Sequence, residues 1–130
     1  MNIHRHFYAL LLLGGLLSLL SGFMQPVSAA GTNVACSTGS TACTLVSAVS
    51  KHTVSVYQIF ASVSTADTLT FKCGSTTKLG PVYLGATAGF VHSFRQPDRL
   101  PVMRCAAGEA FTVDKGVAAT PLTVWLEYEQ

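Results

Sequence analysis

Cys36, Cys43, Cys73 and Cys105 are the residues best equipped for chemistry in this sequence. A cysteine can serve as a nucleophile, a metal ligand or half of a disulfide. Nucleophilic use needs a depressed thiol pKa and a nearby base, usually histidine. Beyond the N-terminal leader only His52 and His92 are available, and neither lies in a recognisable motif. Structural zinc sites bring ligands in close pairs such as C-x2-C, whereas the nearest two cysteines here have six residues between them. An even cysteine count in a small exported domain instead suits two disulfides.

Strand phase selects among the three possible pairings. In "LTFKC", Leu69, Phe71 and Cys73 share one face, and Cys105 shares a face with Met103. Both cysteines end a strand and precede a small-residue turn, "GSTT" and "AAGE". A Cys73–Cys105 bridge between neighbouring strands is expected, with Cys36–Cys43 closing the turn "STGST" as a hairpin clip.

The carboxylates offer little for acid–base work, which needs a positioned pair or a histidine with an orienting acid. Asp67 and Asp98 fall in turns, where Asp is favoured for backbone reasons. Glu109 lies in the "AAGE" turn, and Asp114 precedes the "KG" turn. Glu127 and Glu129 share a strand face that reads as solvated. His92 sits in phase between Phe90 and Phe94 and reads as packed. No catalytic residue, cofactor site or metal site is assigned, and the chain reads as non-enzymatic.

Trp125 is the one tryptophan, and alternation puts it on the polar face of the last strand with Thr123 and Glu127. These three residues form the candidate interface. Tryptophan is enriched at binding hot spots, and a sugar-stacking platform would look the same. The competing reading is a ring covered by a loop or a second sheet.

The elements that must position these residues begin after a leader. Arg5 opens it, the apolar run "FYALLLLGGLLSLLSGFM" follows, and "QPVSAAG" supplies Val27 and Ala29 at signal-peptidase spacing. Residues 1–29 read as a signal peptide cut after Ala29. The run is nearly long enough to span a bilayer, so an uncleaved anchor is the alternative. With cleavage, no membrane segment remains in the mature chain, and the protein is secreted, periplasmic or on the cell surface. The rest, about 100 residues, suits one domain. Its seven Lys and Arg stand singly and nearly balance six Asp and Glu. Nucleic-acid binding would want a basic stripe with interleaved aromatics.

Residues 30–44 are small and polar and read as an N-terminal arm around the clipped turn. Residues 45–130 read as the folded domain. Strands are expected at 44–49, 53–63, 68–73, 82–86, 90–94, 102–105, 110–113 and 122–129, separated by turn signals. The alternation slips after Val56, where Tyr57, Ile59, Ala61 and Val63 continue out of step, which predicts a bulge or a doubly buried strand. "GSTTKLGP" and "RQPDRLP" read as turn and loop. The pattern is that of an all-β, antiparallel β-sandwich of jelly-roll type.

The segments "LTFKCGST", "LGATAGFVHSF", "AAGEAFTV" and "PLTVWLEYE" resemble pieces of small β-sandwich proteins of tailed-phage virions, of decoration or fibre type. The resemblance spans about half the chain and rests on glycine turns between strands. It implies a jelly-roll-like, non-enzymatic structural protein used in many copies on a particle surface. The leader and the four cysteines depart from that pattern and suit an exported cellular protein. The expected function is therefore a structural or adhesive surface protein that self-associates or docks on a partner, a surface protein or glycan, through sheet faces and edges. The alternative is a secreted carbohydrate- or small-ligand-binding module centred on Trp125.

Overall fold

A computed structural model describes residues 29–93 and 100–130. The expected signal peptide up to residue 28, Phe94 and Asp98 lie outside the described residues.

Nine strands and no helix occur among the described residues: β1 (Ala30–Cys36), β2 (Ala42–Val46), β3 (Val54–Val63), β4 (Asp67–Cys73), β5 (Thr76–Leu84), β6 (Gly89–Ser93), β7 (Met103–Cys105), β8 (Phe111–Lys115) and β9 (Leu122–Glu129). They form two antiparallel sheets. Sheet A runs β1-β9-β3-β6, with β7 pairing beyond β6 on the same side of β3, and sheet B runs β2-β8-β4-β5. The pairings are nested: β4 with β5, β3 with β6 and β7, β2 with β8, and β1 with β9. A long hairpin folded over itself gives this order, which is a jelly-roll-like arrangement, here with β7 as a fifth strand in sheet A.

Alternation builds the core between the sheets. Sheet B contributes Leu69, Phe71, Phe111 and Val113; sheet A contributes Val54, Val56, Ile59, Ala61, Leu122, Val124 and Leu126, all but Leu122 with no exposed surface. The Phe71 ring bridges the layers, with its centroid 6.1 Å from both Phe90 and Phe111. Burying side chains of this size stabilises by about 1.5–3 kcal/mol each before entropy is counted.

The phase slip in β3 is a bulge. Val56 pairs with Tyr128 and Gln58 with Glu127, so Tyr57 is the extra residue. Ile59, Ala61 and Val63 then point inward, while Gln58, Phe60 and Ser62 point outward. The Tyr57 hydroxyl donates to Glu129 Oε2 at 2.7 Å.

Both disulfides pair as expected, Cys36–Cys43 and Cys73–Cys105, with Cα separations of 5.6 and 5.1 Å. Their placement corrects the expectation, because each joins one sheet to the other. Cys73 is on β4 and Cys105 on β7, which are not neighbours within a sheet. Cys36 on β1 and Cys43 on β2 flank an arch between the layers rather than a hairpin. In sheet A the two bridges sit far apart: Cys36 pairs with Leu122, which also pairs with Val63, while Cys105 pairs with Val54 at the other end of β3. Two such bridges suit an oxidising compartment.

Residues 30–44 also differ from the expected arm. β1 makes seven consecutive register pairs with β9, and β2 pairs with β8. Ala, Gly, Thr and Asn have weak strand preference, and pairing with β9 overrides it. "GSTTKLGP" is mostly strand too: the turn is confined to Gly74–Ser75, and β5 starts at Thr76. Gly80 and Pro81 sit where the β4–β5 register shifts, a position that tolerates Pro on an edge strand. A Cβ on Gly80 would lie 2.7 Å from the Leu69 carbonyl oxygen, so only glycine fits there.

Candidate functional site

The outward face of sheet A gathers the side chains that point at a partner. Strand register places Val91, Phe60, Trp125 and Asn33 directly opposite one another on β6, β3, β9 and β1. This row crosses four strands. The row on one side is Ser93, Gln58, Glu127 and Gly31; the row on the other is Gly89, Ser62, Thr123 and Ala35. Small and polar residues therefore frame an apolar centre. Val91 is 57% exposed and Phe60 42% exposed.

Trp125 is half-buried, and the reason is local. A Cβ placed on Gly31 would touch the indole, with Cζ2 at 3.5 Å and Nε1 at 3.7 Å. The ring lies over the glycine of the next strand. Phe60 does the same over Gly89, whose Cβ position is 3.5 Å from Phe60 Cε2. Aromatic cover of an edge glycine shields backbone and pins the ring. The two rings lean toward opposite edges of the sheet, because Gly31 is on β1 and Gly89 on β6.

All three expected interface residues, Thr123, Trp125 and Glu127, share this face. Phe60 and Val91 join them. The bulge in the sequence pattern of β3 already puts Phe60 opposite to Ile59 and Ala61, so that signal was present. Nothing in the short "FVHSF" segment marks Val91 as a neighbour of Phe60; only the pairing of β6 with β3 does so.

The remaining candidates for chemistry disperse. His92 points inward opposite Ile59 and stacks on Phe90, with centroids 6.0 Å apart. His52 is exposed in the loop before β3, and its carbonyl accepts from the Gly108 N–H at 3.1 Å. Glu109 Oε2 accepts from the Ala106 N–H at 2.9 Å within its turn. Glu129 is engaged by Tyr57, and Asp114 forms an ion pair with Lys72 on the outward face of sheet B. Among the described residues, no three of His, Cys, Asp and Glu gather where a metal ion could bind.

Two charged residues serve the end of the sandwich. Lys115, expected in a loop, closes β8 and is only 4% exposed. Its ammonium donates to the carbonyls of Ser37, Ala118 and Thr120 at 3.0, 3.1 and 2.9 Å. Three donors meet three acceptors, which compensates the burial of the charge. Asp67, expected in a turn, is the buried first residue of β4. Its Oδ1 accepts from the N–H groups of Thr68 and Val117 at 2.7 and 2.8 Å. Together they hold the β1–β2 arch and the β8–β9 loop against the sheets. A depression of about 360 Å³ lies beside Asp67, Tyr83 and Val117. Asp67 Oδ2 is sealed from solvent, without a hydrogen-bond partner, and so does not present itself to that space.

No protein-family model, curated protein or solved structure matches this chain.

Proposed function

We propose that this chain is an exported, non-enzymatic surface protein, structural or adhesive, that docks through the outward face of sheet A. The row Val91–Phe60–Trp125–Asn33 carries the reading. Aromatic anchors framed by polar residues match the make-up of interface centres. The leader and two disulfides support export to an oxidising compartment, at a cell surface or in its surroundings. A packed jelly roll bolted between its layers suits a protein that must persist there.

A second reading is a carbohydrate-binding module on the same face. It is favoured by the way Trp125 and Phe60 lie over glycines, which presents flat rings rather than protruding knobs. Such rings can stack on the apolar side of a sugar while Asn33, Gln58 and Glu127 meet its hydroxyls.

The single tryptophan reports directly on this face. Its emission is followed while the exported protein is concentrated, while envelope fragments of the exporting cell are added, and against a panel of glycans. A blue shift in either of the first two supports docking, and a shift confined to glycans supports the second reading. Unchanged emission under saturating conditions in all three overturns the assignment of this face.

A further inference from the structure

We infer that β1 is a pairing edge for a second copy of this chain, joined antiparallel about a two-fold axis through Asn33. The other edges of the sandwich are blunted in the ways that prevent strand addition. β2 has five residues and a register shift between Thr44 and Val46. β5 carries Lys78, Pro81 and two register shifts. β6 has five residues and β7 three. β1 is different. It has seven residues in unbroken register with β9, and "AGTNVAC" contains no proline and no charge. Among the described residues no strand pairs with its other side. A regular, uncharged edge of this length is a template for another strand.

Composition and position point to a second copy as the occupant. Asn33 is the midpoint of Ala30–Cys36. Full-length antiparallel pairing with a copy therefore sets Asn33 against the same residue of the copy. Thr32 then meets Val34, Gly31 meets Ala35 and Ala30 meets Cys36. No like charges oppose one another, and the residue set against Gly31, beside the Trp125 ring, is alanine. Asn33 is also the end of the outward row. The two-fold joins the rows of both copies into one line, from Val91 of one copy to Val91 of the other, across eight strands. The inference stands on the strand itself and does not require the proposed docking of the face.

The test is sedimentation velocity of the exported protein over a wide concentration range, together with cysteine cross-linking. Wild type should show a monomer–dimer equilibrium. Asn33→Lys, which places like charges opposite each other, should raise the dimer dissociation constant by about two- to fivefold. Asn33→Cys should give a disulfide-linked dimer on non-reducing gels, because residues directly opposite lie about 4.5–5.5 Å apart. Ala35→Cys should not, because two copies of residue 35 would be offset by about 14 Å. A wild type that stays monomeric throughout, or equal cross-linking at positions 33 and 35, overturns the inference. A Phe60→Ser, Trp125→Ser double variant should keep the dimer while losing any docking of the face, so the two proposals fail separately.

Discussion

The two sheets contribute alike to the core and differ on their outward faces. Inside, sheet B supplies Leu69, Phe71, Phe111 and Val113 and sheet A supplies Val54, Val56, Ile59, Val124 and Leu126, none with exposed surface. Outside, sheet B presents Thr44, Thr68, Thr70 and Thr112 with the Lys72–Asp114 ion pair. That face is polar apart from Tyr83, a lone aromatic opposite Thr68 at the β5 edge that is 79% exposed. Sheet A presents Phe60, Trp125 and Val91 in one row. Threonine is chosen where a strand must be stable and wet. The two aromatic rings over glycines shield backbone on sheet A and also leave apolar surface in water, as Phe60 does at 42% exposure. Inward faces report the fold; on the outward faces, sheet A groups its apolar residues in one row while sheet B carries a single exposed tyrosine.

The largest expected effect tests whether the layers behave as one unit. Serine at both Cys73 and Cys105 should lower unfolding free energy by about 3–4 kcal/mol, and serine at both Cys36 and Cys43 by about 2 kcal/mol, from the lengths of the closed loops. Urea titration measures both, and an inverted order would contradict the loop-entropy account. Next, Trp125→Ser should cost about 1–2 kcal/mol, because it uncovers Gly31 as well as removing the ring. Thermal melts that show no loss would mean the ring does not rest on the sheet. The smallest effect belongs to sheet B. Lys72→Ala should cost under about 1 kcal/mol and less in high salt, since the ion pair is partly exposed and screened. A larger cost would give the polar face a structural role that its geometry does not suggest.

Much of the sandwich was legible in the sequence because alternation is a local signal. Alternation puts Leu69, Phe71 and Cys73 on one face and sets Leu122, Val124 and Leu126 against the polar face of Thr123, Trp125 and Glu127, and both apolar sets are buried. The slip after Val56 marked a real bulge. The disulfide pairing followed from strand phase, yet the layers being bridged did not, because sheet membership is a property of distant pairings. Residues 30–36 read as an arm because small polar residues carry no strand signal, and only pairing with β9 makes them a strand. The burial of Lys115 was equally hidden. Its partners are backbone carbonyls from two loops, which no side-chain pattern announces. On the candidate site, Thr123, Trp125 and Glu127 were found from one strand, whereas Val91 needed the sheet.

The position of β9 bears on how the chain comes together as it emerges N-terminus first. Residues 122–129 form the last of the nine described strands to be made, yet they fill the middle of sheet A between β1 and β3. Until they arrive, β1 has no partner and sheet A has a gap one strand wide. All four cysteines precede this segment, so both cross-links can close before the gap does. Pairings this distant in sequence form slowly. In this order sheet A stays incomplete until β9 has been made, so the sandwich closes only with that strand.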